Sequence, residues 1–177
     1  GKTEMYGQTY HCWKKKGHGY VSLRNAMKQS CDTYFYEVAR KLGVDKLSET
    51  AKKFGLGEKV FGDLFDIEKK GLIPNTQWKK NALGKGWLLG ETIITGIGQG
   101  YIQTTPIQLC LMTAQIAKAI DQHLQPKGVA VLVSGDHHCM CTRGVNKKGI
   151  SMVTRSFTGV FATNSKLQAE FNSAATR

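Results

Sequence analysis

The segment TTPIQLCLMTAQIAKAIDQHLQP, residues 104–126, constrains the fold of this chain more than any other stretch. Thr105 is followed by Pro106 and Gln108, a threonine N-cap with a glutamine three residues on and proline at the first helical position. Apolar residues then run to Leu124, and Pro126 cannot continue a helix, so the spacing predicts one long helix across this stretch. Sequence upstream of it reads as helix and loop, and sequence downstream reads as strand. The class is therefore mixed α/β (α+β), with its change of character at the long helix.

Upstream, SCDTYFYEVARKLG sets Phe35, Val38, Ala39 and Leu42 on one helical face, with Ser30 or Asp32 as the cap and Gly43 as the stop. A second helix follows in DKLSETAKKFG, with Asp45 as the expected cap and Leu47, Ala51 and Phe54 turned inward. Residues 55–100 are glycine-rich and short on periodicity, and read as a loop-dominated region. Downstream, strands are expected at 128–134, about 137–145 and 150–161, with a short helix near 165–174.

A chain of 177 residues that is 41% hydrophobic can bury a core in one domain or two small ones. It holds no apolar run long enough to span a membrane, and its first ten residues lack the layout of a signal peptide. The net charge of +12 favours anionic partners without choosing among them. Lysine runs beside tryptophans, WKKKGHG and WKKNALGKGW, come with no nucleic-acid-binding signature, so no nucleic-acid partner is expected. Five cysteines without framework spacing argue against a disulfide scaffold.

The run GDHHCMCTRGV raises zinc as a candidate cofactor. On an extended strand His137, Cys139 and Cys141 share one face, and three collinear donors cannot wrap a tetrahedral ion. Further donors would have to come from Cys12, Cys31, Cys110, His11, His18 or His123, and none of these has a recognised ligand spacing. The ligand set is incomplete. GKT at residues 1–3 lacks the strand and glycine-rich turn of a phosphate loop. GIGQG at 96–100 lacks the third glycine and βαβ context of a dinucleotide site, and reads as a turn.

Taken together, HCWKKKGHGYVSLRNAMKQSCDTYFYEVARKLGVDKL, KKGLIPNTQWKK and GETIITGIGQGYIQTTPIQL resemble the transpeptidase domain of class B penicillin-binding proteins, in particular the elongation type, penicillin-binding protein 2, over about residues 6–112. That resemblance implies a serine-type peptidoglycan D,D-transpeptidase that works outside the cytoplasmic membrane, with penicillin or the peptidoglycan stem peptide as partner. Its S-x-x-K serine attacks the D-Ala-D-Ala bond, its S-x-N or S-x-D motif relays the proton, and K-T-G binds the carboxylate. Ser30-Cys31-Asp32 matches the middle motif and makes Ser30 and Asp32 the implied catalytic residues. No serine here begins S-x-x-K and no lysine begins K-[ST]-G, so nucleophile and base are both missing. FGDLFDIEKKG also departs from the family's usual pattern.

The last third, LQPKGVAVLVSGDHHCMCTRGVNKKGISMVTRSFTGVF, is similar to the C-terminal part of GTP cyclohydrolase I. That likeness implies a domain division at 1–112 and 113–177, GTP as partner, a homo-oligomer formed through the second part, and a cytoplasmic setting. It makes Cys139 a zinc ligand, His137 the ring-protonating acid and Arg143 a triphosphate contact. The upstream C-E-H-H segment that completes that family's zinc site is absent. Neither implied active site is complete and the two implied compartments disagree. The expectation is a chain without catalysis of its own, against the alternatives of a zinc-dependent cyclohydrolase or a nonfunctional, merely anion-binding composite.

Overall fold

The computed structural model describes residues 1–64, 67–136 and 151–175. They form two compact units, Gly1–Lys53 with Gly71–Thr104, and Phe54–Lys70 with Thr105–Arg177. Among the described residues no helix is long and apolar enough to cross a membrane.

The first unit opens with an antiparallel hairpin, β1 (Lys2–Met5) and β2 (Gln8–His11), in register Lys2 to His11 and Met5 to Gln8. A two-residue loop suited to strand twist needs positive φ at both central residues, and Tyr6 (54°) and Gly7 (73°) supply it. Sequence pattern alone did not expect this hairpin, because only one of its two turn residues is a glycine. Helices α1 (Leu23–Lys28), α2 (Asp32–Leu42), α3 (Val44–Lys53), α4 (Thr76–Leu83) and α5 (Leu89–Thr95) follow.

In α2 the buried residues are Tyr36 and Ala39, while Leu42, expected inward, is 44% exposed. Its N-cap is Cys31, with no side-chain cap bond, so neither Ser30 nor Asp32 caps it. In α3 the buried face is Val44 and Ser48. Asp45 lies inside the first turn, where its carboxylate accepts from the Thr76 backbone N–H (2.9 Å) and hydroxyl (3.0 Å) and so tethers the start of α4. Asn75 caps α4 by accepting from the Trp78 N–H at 2.7 Å, and Gly84 ends it in the left-handed conformation.

Within the stretch expected as loop-dominated, α4 and α5 are the helical interruptions among the described residues, because tertiary contacts rather than periodicity stabilise helices of this length. GIGQG gains a packing reason as well. A Cβ on Gly96 would stand 2.3 Å from Ala39 Cβ and 3.2 Å from the Phe35 carbonyl oxygen, so α5 approaches α2 closely only through glycine. Gly98 and Gly100 both have positive φ and turn the chain after α5.

The second unit is built on α6 (Pro106–Leu124), which carries both halves of the capping box: Thr105 accepts from the Gln108 N–H and the Gln108 side chain accepts from the Thr105 N–H. The fully buried Gln108 amide also donates to the carbonyls of Glu58 and Lys70, each at 2.7 Å, and fastens the intervening segment to the helix start. Strands β3 (Ala130–Asp136) and β4 (Ser151–Phe157) pair antiparallel, Ala130 opposite Phe157. The expected strand at 137–145 lies outside the described residues.

Thr113 of α6 donates to the Leu109 carbonyl and meets the Thr154 hydroxyl of β4 at 2.6 Å, so both buried hydroxyls are satisfied. Helices α7 (Val160–Thr163) and α8 (Ser165–Ala175) close the unit, with Phe157, Phe161 and Phe171 in mutual ring contact at 5.9–6.4 Å.

The Gly96→Ala substitution forces a methyl into the α2–α5 contact and is expected to destabilise the first unit by about 1–3 kcal/mol. Urea denaturation followed by tryptophan fluorescence checks this.

Candidate functional site

Helix α1 buries Ala26 and ends at Gln29, and the chain then closes a Schellman turn. The Cys31 N–H donates to the Ala26 carbonyl (2.9 Å) and the Ser30 N–H to the Met27 carbonyl (3.2 Å). Ser30 therefore occupies the position where glycine is usual, with φ of 50°. A left-handed non-glycine residue costs roughly 1–2 kcal/mol. Ser30 is exposed, and Asp32 begins α2 beyond the turn.

Trp13, just past β2, reaches this turn from the other side. Its indole N–H donates to the carbonyls of Gln29 (3.1 Å) and Ser30 (2.9 Å), two acceptors left over where α1 ends. Its backbone N–H donates to the Asp32 carboxylate at 2.9 Å. Tyr36 of α2 donates its hydroxyl to the His11 carbonyl at 3.2 Å, so β2 and α2 are joined on both sides of the turn.

Beneath the turn, Cys12 and Cys31 pack with Ala26 in a buried cluster, each less than 5% exposed. His18 closes on the same point: its Nδ1 is 3.6 Å from Cys12 Sγ, and its Nε2 is buried without a hydrogen-bond partner among the described residues. One donor atom from each of Cys12, His18 and Cys31 lies within 4.8 Å of the other two. Two thiols and an imidazole are a zinc-type donor set; bound ligands would stand roughly 3.3–3.8 Å apart, a spacing that Cys12 Sγ and His18 Nδ1 already have and that any wider separation in the group would have to contract to reach. The fold thus assembles donors that no sequence spacing connects, because the α1–α2 turn brings Cys31 back against the end of β2.

Of the residues singled out from sequence, Ser30 and Asp32 are brought together at this turn. His137, Cys139 and Arg143 lie outside the described residues, as do His138 and Cys141.

A second feature of the first unit is an open hollow of about 530 Å³, lined by Tyr6, Tyr10, Trp87, Leu88, Leu89 and Glu91 among others. Glu91 of this lining is held in a part-buried ion pair, Lys79 Nζ to its carboxylate at 2.5 and 2.6 Å. Lys79 Nζ also lies 5.8 Å from the Trp87 ring centre and 6.0 Å from that of Tyr101. Burial pushes the Glu91 carboxyl upward, but hydrogen bonds from Lys79 and from the Leu88 N–H outweigh it and hold the group below the ordinary carboxylate value.

The family model described as the penicillin binding protein transpeptidase domain matches residues 1–173. That span takes in β3 and β4, the stretch for which the sequence led to the expectation of a GTP cyclohydrolase I part, and no comparison supports that part. The peptidoglycan D,D-transpeptidase MrdA of Acinetobacter baumannii is 45% identical over 102 residues, 58% of this chain and 15% of that protein. MrdA of Escherichia coli K12 is 45% identical over 100 residues, 56% of this chain and 16% of that protein. The chain thus spans about a sixth of the length of these curated relatives.

Among solved structures, Pseudomonas aeruginosa PBP2 in complex with WCK 5153 superposes with a TM-score of 0.62 at 44% identity, covering 74% of this chain and 28% of that one. Helicobacter pylori PBP2 in complex with MreC gives 0.62 at 37% identity, covering 67% and 22%.

Because the folded Glu91 pKa is depressed, its stabilisation is full above the unfolded carboxylate pKa of about 4.3 and is lost as pH falls through the lower folded value. The Lys79→Met substitution leaves a partly buried carboxylate without its cation and is expected to destabilise the chain by about 1–3 kcal/mol at neutral pH. The penalty shrinks as pH falls and Glu91, released from Lys79, takes up a proton. Urea midpoints across pH 3–8 measure it.

Proposed function

This chain belongs to the penicillin-binding protein transpeptidase family, and we propose that it is the part of a PBP2-type peptidoglycan D,D-transpeptidase that presents the S-x-D motif, Ser30-Cys31-Asp32, to the reacting centre. The observation that carries this reading is the Ser30 turn: an exposed hydroxyl, set in a left-handed backbone and fixed by neighbours on both sides. A hydroxyl both donates and accepts, so Ser30 can pass a proton between a base and a departing amine without holding a charge. Asp32, held by the Trp13 N–H, steadies the turn on its far side.

Acyl transfer also needs a nucleophile with its base in hydrogen-bond reach, and no serine of this chain is followed three residues later by lysine. The chain by itself therefore forms no acyl-enzyme. Incubation with a fluorescent penicillin is expected to leave it unlabelled in a denaturing gel; a labelled band that unlabelled penicillin competes away would contradict the reading.

The Cys12–His18–Cys31 group is proposed as a zinc site that braces the same turn, since Cys31 is the middle residue of the motif. Zinc held there would tie the end of β2 to the start of α2. A second proposal concerns residues 113–177, read as a cyclohydrolase-like part in which Cys139 is the zinc ligand, His137 the proton donor and Arg143 the triphosphate contact. What supports it is the sequence likeness alone, against a transpeptidase family match over residues 1–173 and an alignment with Salmonella typhimurium MrdA over 118 residues.

Zinc measured by elemental analysis in the intact chain and in the Cys31→Ser and Cys139→Ser variants separates these readings. The first reading predicts loss of bound zinc in Cys31→Ser and none in Cys139→Ser, and the second predicts the reverse.

A further inference from the structure

Three groups of the Ser30–Asp32 turn meet a single residue. The Trp13 indole N–H is shared between the Gln29 and Ser30 carbonyls at 3.1 and 2.9 Å, and the Trp13 backbone N–H takes the Asp32 carboxylate at 2.9 Å. No other described residue contacts the turn through both its main chain and its side chain in the hydrogen bonds given above. Ser30 holds φ of 50° without being glycine, a conformation that persists only where surroundings impose it. The α1–α2 turn supplies two backbone bonds of its own, but these close equally well around other residues, and they leave the Gln29 and Ser30 carbonyls open.

Trp13 is itself held. It is half exposed, its ring meets the His18 imidazole edge-on at 5.2 Å, and it follows directly on Cys12, which is buried against Cys31. The indole is a rigid donor with its root anchored in the core and its N–H aimed at the turn.

We propose that Trp13 is the positioning residue of the Ser30–Asp32 pair, its indole holding Ser30 in the left-handed turn and its main-chain N–H holding the Asp32 carboxylate. The role of the pair in proton relay rests on the reading proposed above, whereas the positioning itself does not. A substitution by alanine would remove packing as well as the hydrogen bonds, so the test changes one atom: Trp13 is replaced by 3-benzothienylalanine, which keeps the two-ring shape and substitutes sulfur for the indole N–H.

The readout is the intraresidue HN–Hα cross-peak in NMR spectra of the full chain, strong only at positive φ. Tyr6 and Gln125, the other non-glycine residues with positive φ among those described, serve as internal references. The expected result is loss of the strong cross-peak at Ser30 with those of Tyr6 and Gln125 retained, and its retention when 7-azatryptophan, which keeps the N–H, is placed at position 13. An unchanged Ser30 cross-peak in the benzothienyl chain overturns the proposal.

A second measurement needs no substitution and decides the matter if the benzothienyl chain does not fold. In the unaltered chain the Trp13 indole N–H is expected to exchange with solvent at least 100-fold more slowly than free tryptophan, and exchange at the free rate overturns the proposal. Neither arm uses a ligand or turnover, so penicillin labelling of the chain would defeat the functional reading and leave this result standing.

Discussion

The contact of Cys12 with Ala26 and Cys31 is the one on which the rest of the first unit depends. Each of the three is less than 5% exposed, and they come from the end of β2, the middle of α1 and the start of α2. Small side chains are required there. Ala26 and Cys31 are the two residues whose backbones close the Schellman turn, and their apolar contact is the usual companion of that turn. Burying this group fixes the strand end against the turn, and everything nearby inherits the geometry: the Tyr36 hydroxyl on the His11 carbonyl, the Trp13 indole on the turn carbonyls, and the exposure of Ser30.

How much of this was legible in sequence depended on whether the cause was local. The Thr105 capping box, the proline after it and the stop before Pro126 act within a few residues, and α6 forms where they place it. Ser30-Cys31-Asp32 looked like a helix cap by the same local rules, but the structure gives Ser30 the opposite task, ending α1 rather than starting α2. The rule was sound and the competitor was tertiary. Asp32 finds a better donor in Trp13, nineteen residues away, than in its own helix. Asp45 likewise serves α4 instead of capping α3.

The Cys12–His18–Cys31 grouping was illegible for a related reason. Ligand motifs are readable when one turn or knuckle supplies two donors at fixed spacing, and here the separations of six and thirteen residues belong to no such local unit. The glycines of GIGQG were legible as a turn, but the need for Gly96 was not, since it is set by Ala39 on another helix. By contrast the absence of S-x-x-K and K-[ST]-G from these residues is read from the sequence alone and needs no contact in the fold.

Hairpin end, α1–α2 turn and α2 thus form one cooperative structure around the buried Cys12–Ala26–Cys31 contact. Native-state hydrogen exchange tests this most directly, because the Cys12 and Cys31 amides both sit in backbone hydrogen bonds, to Gly1 and Ala26. These two amides are expected to open with the same free energy as the Gly43 amide at the far end of α2. Exchange at Cys12 through a separate, lower-energy opening of the hairpin, with Cys31 and Gly43 still protected, would contradict it.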